Sequence, residues 1–140
     1  MNTASLTAPS SVGLSATEPG EIHAAILTGL PYKALVRFEK HTHFPGATIA
    51  RAVGIPARTL IRRKQAKRLT PGESDRLYRL AVVFAKAAEL FAGDIKAARE
   101  WLTKPARGLG HKVPLEFAQT AAGERMVLDL IGRLQHGVFT

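Results

Sequence analysis

The stretch 54–69, GIPARTLIRRKQAKRL, carries Arg58, Arg62, Arg63, Lys64, Lys67 and Arg68, no acidic residue, and the apolar pair Leu60 and Ile61 in its middle. On a helix, residues four apart such as Arg58 and Arg62 share a face. A guanidinium there can donate two parallel hydrogen bonds to a phosphate or to the acceptor edge of guanine. The chemistry on offer is anion recognition. Bond-making chemistry finds little support: no Ser or Thr sits in a strained, Gly-flanked turn beside a base, and Glu73, close to Asp75, is accounted for by a helix cap described below. His41 and His43 form an HxH that could ligate a metal only if two further ligands converged, and surface histidines in a helix-end loop are the plainer reading. His23, His111 and His136 stand singly. Trp101 shares a helical face with Ala98 and Leu102 and reads as core. The expectation is a binding protein with no enzymatic activity, metal or cofactor.

Charge placement supports that reading. The chain has 140 residues and a net charge of +9. Residues 31–80 hold twelve basic residues against three acidic ones, whereas 1–30 carry −2 and 81–140 carry +2. A field concentrated in one third of the chain attracts a polyanion, with nucleic acid first and an acidic membrane surface second. The membrane reading is the weaker, because the cations interleave with core-type residues. RNA is the lesser nucleic acid, since only Phe38 and Phe44 are near to stack on bases. Apolar residues make up 46% of the chain, enough for a core, and there is no cysteine for disulfides or thiolate sites. MNTASLTAPSSVGLSATEPG lacks the basic start and apolar run of a secretory signal, so a soluble, cytoplasmic protein is expected.

The elements that must position the cations are set by Pro and Gly. Residues 1–20, rich in Ser, Thr, Pro and Gly, read as a flexible tail. Pro31 opens a helix through Lys40, Gly46–Val53 makes a short one, and Pro56 opens another to about Lys67. Thr70-Pro71-Gly72-Glu73 is a capping box that should start a long helix with Leu77, Leu80, Ala81, Phe84, Ala88 and Phe91 on its buried stripe, ended by Gly93. Asp94 caps a helix stopped by Pro105, Pro114 starts a short one through Gln119, and Thr120 begins the last, with Val127, Leu130, Ile131 and Leu134 on one face until Gly137. No turn-bounded strand pattern appears. The fold class is all-α: a tail (1–20), a helix-turn-helix region (21–69), a connecting helix (70–93) and a small C-terminal helical domain (94–140).

Within residues 46–65, GATIARAVGIPARTLIRRKQ, a helix-turn-helix pattern is complete in its essentials. Ala50 is the small residue where two helices touch, and Gly54, four positions on, can adopt the positive φ of the tight turn. Ile49, Val53, Ile55 and Leu60 occupy the core positions. Arg58, Thr59, Arg62 and Gln65 are then left on the face that would enter a major groove, with the N-terminal residues nearest the base edges. Arg63 departs from the pattern by standing at a late core position, where its stem would snorkel or the register would differ by one residue. The candidate DNA-binding set is Arg58, Thr59, Arg62, Arg63, Lys64, Gln65, Lys67 and Arg68. Two short helices joined at a glycine with a solvated basic face remain the alternative.

The C-terminal stretch WLTKPARGLGHKVPLEFAQTAAGERMVLDLIGRLQHGV resembles the toxin-binding domain of the Xre/MbcA/ParS antitoxin family. Trp101, Leu102, Pro105, Leu109, Pro114, Leu115, Thr120, Gly123, Val127, Leu130 and Gly137 carry the likeness. Upstream, RTLIRRKQAKRLTPGESDRLYRLAVVFAKAAELF resembles the family's Xre-like helix-turn-helix and joining helix, so the likeness covers about residues 31–139 and leaves the tail aside. The resemblance implies an antitoxin of a type II toxin-antitoxin pair. Its C-terminal domain would bind a RES-domain toxin that consumes NAD and occlude the NAD pocket. It would also dimerise and repress its own operon. Lys112, His136, Gly137, Val138 and Phe139 are the candidate toxin contacts, although for Val138 and Phe139 a hydrophobic clasp after the last helix is the plainer reading. A homodimer also follows from symmetry, since one recognition helix discriminates weakly and two half-sites about 34 Å apart restore specificity. A stand-alone dimeric transcriptional regulator without a toxin partner is the alternative.

Overall fold

The computed structural model describes residues 7–15 and 18–137. Its α-helices are α1 (Ala8–Ser11), α2 (Pro19–Thr28), α3 (Lys33–Thr42), α4 (Gly46–Ala52), α5 (Ala57–Ala66), α6 (Pro71–Leu90), α7 (Ile95–Leu102), α8 (Pro114–Phe117) and α9 (Ala121–Gln135), with a 3-10 turn at Arg107–Leu109 before α8. Among the described residues the only β pairing is two isolated bridges, Pro31 with Arg68 and Ala106 with Lys112. The all-α expectation holds. No described helix is long and apolar enough to cross a membrane.

The punctuation read from sequence acts as expected where it is local. The Thr70 hydroxyl accepts from the Glu73 amide at 3.2 Å while the Glu73 carboxylate accepts from the Thr70 amide at 2.9 Å, so two amides that the helix cannot satisfy internally are paired. Asp94 caps α7 through the Ala97 amide, and Thr120 caps α9 through the Gly123 amide. Beyond α6, the Gly93 amide returns to the Ala88 carbonyl at 2.7 Å with Gly93 at φ +89, which closes the helix end.

α6 is the element on which the others rest, packing against α1, α2, α3, α7 and α9. Leu77, Leu80, Ala81, Val83, Phe84, Ala87 and Ala88 are all buried, a wider apolar surface than the single stripe expected, and Phe91 is half-buried at its end. Phe84 lies at the centre, met edge-on by Phe38 at 6.0 Å and by Phe44 at 5.7 Å. One buried cluster runs without interruption from Ala8 to Ile131. The helices of 21–69 and those of 94–140 thus share a core with α6 inside it.

The N-terminal segment departs from the expected tail. Thr7 and Ser10 form a capping box around the four residues of α1, and Ala8, Ser11 and Val12 are buried where α1 packs on α3 and α6. Four residues are barely one turn, too short for a 3.6-residue period to show. The same Ser and Thr that suggest a tail are the cap. Residues 1–6, 16 and 17 lie outside the described residues.

A glycine fixes the way the chain enters this core. Gly29, at φ +97, passes so close to the 67–69 segment that an added Cβ would lie 2.5 Å from the Leu69 carbonyl oxygen. Around it the Leu69 amide donates to Leu30 O at 2.8 Å and the Tyr32 amide to Lys67 O at 3.0 Å. Gly29→Ala combines a strained φ with a backbone clash and should cost at least about 2 kcal/mol. Phe84→Ala should cost about 3 to 5 kcal/mol by opening a cavity beside the Phe38 and Phe44 rings. Urea unfolding of the two variants checks both figures, and a loss under about 1 kcal/mol for Phe84→Ala would show that α6 is not the centre of the core.

Candidate nucleic-acid interface

α4 and α5 are joined by a turn whose geometry is fixed by backbone and core. Gly54 adopts φ +71, and the Ile55 amide donates to the Ala50 carbonyl at 2.8 Å. Ile49, Ala50, Val53 and Ile55 are buried. From α6, Arg76 Nε donates to the Val53 carbonyl at 2.6 Å, so the turn is tied to the core helix by a charged donor. Every core position read from the helix-turn-helix pattern is buried except Leu60, which is half-buried against the core.

α5 itself has no fully buried residue. What fixes its roll is Arg63, whose Nε donates to Glu73 Oε1 at 2.7 Å; the two side chains are 25% and 7% exposed. Burial pushes the Glu73 carboxyl up, but the Arg63 hydrogen bond and charge and the Thr70 amide outweigh it and hold the group below the ordinary carboxylate range. The same hydrogen bond pushes the Arg63 guanidinium above its ordinary value. The odd position in the pattern is thereby resolved. Arg63 stands where the pattern wants an apolar side chain because a carboxylate on α6 receives it.

The remaining candidates separate by environment. Arg58, Arg62, Lys64 and Gln65 are exposed on α5, and Thr59 is half-buried at its first turn. Arg58, Arg62 and Gln65 share one face by helical spacing, and the exposed Ile61 lies among them. Lys67 is exposed just past the helix, at φ +63. Arg68 is exposed as a residue, yet its Nη1 donates to the Gly29 carbonyl at 2.6 Å, which helps hold the bridge between Pro31 and Arg68. Arg63 and Arg68 are therefore joined to protein atoms, Thr59 is half-buried, and Arg58, Arg62, Lys64, Gln65 and Lys67 are exposed.

At the other end, Lys112 is exposed in the loop before α8, its carbonyl accepting from the Ala106 amide at 2.8 Å. His136 and Gly137 are exposed beyond α9, with Gly137 at φ +75. These residues lie on separate elements. Val138 and Phe139 lie outside the described residues. Sequence reasoning missed the exposure of Met126, at 53%, on α9 beside the buried Val127. Its neighbours obey the apolar stripe, so composition alone gives it no distinction. His41 and His43 are exposed, and among the described residues no three His, Asp or Glu side chains converge on a point.

Two links join the ends. Arg99 of α7 donates through Nη1 to the Thr42 carbonyl at 3.1 Å, and Gln119 through Nε2 to the Arg51 carbonyl at 2.7 Å. Gln119 also lines, with Thr48, Arg51, Val113, Leu115 and Glu116, a groove of about 400 Å³.

Comparison with known proteins matches both ends. Residues 86–137 match the Antitoxin Xre/MbcA/ParS C-terminal toxin-binding domain, and residues 21–82 match the Antitoxin Xre-like helix-turn-helix domain. A protein named Antitoxin Xre from Yersinia enterocolitica is 39% identical over 130 residues, 92% of this chain and 88% of that one. The chain belongs to the Xre antitoxin family. Further relatives named Antitoxin Xre come from Photorhabdus laumondii, 34% identical over 91% of this chain and 86% of its own, and from Pseudomonas putida, 33% over 84% and 72%. Within this antitoxin-family chain the helix-turn-helix match begins inside α2, contains α3 to α5 and ends inside α6.

The Arg63–Glu73 pair sets a pH signature. Because the folded protein lowers the Glu73 pKa, the stabilisation is complete above the unfolded carboxyl value of about 4.3 and is lost as the pH falls through the lower folded value. Wild type should melt at a higher temperature than Arg63→Met at pH 7, and the gap should narrow progressively as the pH falls below about 4. A gap of the same size at pH 7 and pH 3 would mean that Arg63 acts through packing alone.

Proposed function

We propose that this protein is the antitoxin of a type II toxin-antitoxin pair, neutralising a RES-domain, NAD-consuming toxin with its C-terminal region and repressing its own operon through α4 and α5. The observation that carries the reading is the succession, in one chain with one core, of a match to a toxin-binding domain over 86–137 and a match to a helix-turn-helix over 21–82. It is a binding protein: its work is occlusion and repression, without turnover. An NAD-consuming partner and an operator both place it in the cytoplasm.

For DNA, Arg58, Thr59, Arg62 and Gln65 face the base edges, with Lys64 and Lys67 on phosphates. Arg63 and Arg68 serve the interface by fixing the roll and the exit of α5, as their hydrogen bonds to Glu73 and Gly29 suggest. The protein acts as a homodimer, so that two recognition helices address a two-fold operator. For the toxin, the segment after α9, with His136, Gly137, Val138 and Phe139, enters the NAD pocket, and Lys112 contacts its rim.

Arg58→Ala or Arg62→Ala should weaken binding to the preferred duplex by about 1 to 3 kcal/mol, whereas Lys67→Ala should weaken all duplexes alike and reduce the salt slope by about one. Fluorescence anisotropy at several salt concentrations reads both effects, and equal affinity of the wild type for operator and scrambled DNA would remove the repressor reading.

Co-expression tests neutralisation. In cells expressing a RES-domain toxin encoded beside the antitoxin gene, wild type should restore growth and cellular NAD, and Val138→Asp with Phe139→Asp should restore neither. Protection by the double variant equal to wild type would refute the plug. Absence of any protection or co-purifying toxin would leave the stand-alone regulator.

A further inference from the structure

Resting on the DNA-binding reading of α5, we infer that Ile61 reads the 5-methyl group of a thymine in the major groove, and so sets one base of the operator. Three large apolar side chains are exposed among the described residues: Leu27, Ile61 and Met126, at 60%, 60% and 53%. A single exposed apolar residue is ordinary. Ile61 differs in its setting. Its helix neighbours on the outward side are Arg58, Arg62, Lys64 and Gln65, all exposed, and the packing of α5 is supplied on the inward side by Leu60 and the Arg63–Glu73 pair. The fold does not use Ile61, and a β-branched residue on an exposed helix surface has no propensity to recommend it.

Whatever covers Ile61 must tolerate the cations around it. A second copy would bring the same basic face, and a lipid surface would be met by an isolated side chain with no apolar stripe. A polyanion that displays an apolar spot satisfies both demands. In the major groove of DNA that spot is the thymine methyl, the one apolar group among the base-edge donors and acceptors. RNA carries uracil in its place and has a major groove too deep and narrow for a helix. Ile61 thus also favours DNA over RNA. Along α5, Ile61 stands three residues beyond Arg58, about 4.5 Å of rise. With base pairs stacked about 3.4 Å apart, the thymine lies one or two pairs from the base that Arg58 addresses.

The test uses the full chain. Selection from a random duplex pool gives the preferred sequence, and each thymine in it is then replaced singly by deoxyuridine, which removes only the methyl. Wild type should lose about fourfold in affinity at one thymine per half-site, the transfer free energy of one methyl-sized group, within two base pairs of the position lost in Arg58→Ala. Ile61→Ala should bind the thymine and deoxyuridine duplexes equally, with the salt slope of wild type. The wild-type measurement stands by itself should Ile61→Ala fold poorly. If every deoxyuridine duplex binds wild type like its parent, or if the loss persists in Ile61→Ala, the methyl contact is overturned while DNA binding stands. If no duplex is enriched over the pool, the DNA reading falls and this inference with it.

Discussion

Burial of α6 on several sides is the constraint from which the rest follows. A helix whose buried apolar face spans nearly half its circumference is too broad for one neighbour to cover and needs several. Leu77, Leu80, Ala81, Val83, Phe84, Ala87 and Ala88 meet that condition, and α1, α2, α3, α7 and α9 are what encloses them. Phe84, held between Phe38 and Phe44, ties the middle of α6 to α3 and to the loop before α4. The helix-turn-helix and C-terminal halves therefore share one core around a common helix.

The start of α6 does a second job. Glu73 caps its own helix and receives Arg63 from α5, so one carboxylate satisfies an amide that helix geometry leaves over and fixes the roll of a helix that buries nothing completely. A half-exposed apolar seam would hold α5 less specifically, since an ion pair with a directed hydrogen bond sets angle as well as proximity. With Arg63 turned inward, the residues one position to either side in the turn face out. That is how Arg62 and Lys64 reach solvent.

The two functional ends are linked through more than α6. Arg99 and Gln119 donate across to backbone carbonyls at Thr42, the last residue of α3, and Arg51, within α4. Backbone acceptors are indifferent to side-chain identity, so these links bear on position, not on sequence at 42 and 51.

Sequence alone determined the helices with local punctuation. The Thr70 capping box, the Asp94 and Thr120 caps, Gly54 in its turn and the stripe of α9 are signals complete within a few residues, which need no knowledge of what packs against them. The family likeness was legible for the same reason, since its residues lie in order in one stretch. Other features are decided between residues far apart in the chain, and these only the tertiary structure settled. α1 is too short to show a period, and its burial depends on α3 and α6. Leu60 is read as core from the helix-turn-helix pattern, but that its neighbour Ile61 is left facing outward follows from the roll that Glu73, ten residues beyond Arg63, helps to set. Gly29 is one glycine of twelve until the Leu69 carbonyl is placed against it. Local rules give each helix its ends, but a helix's roll is chosen by its neighbours, and with it which side chains are left to meet a partner.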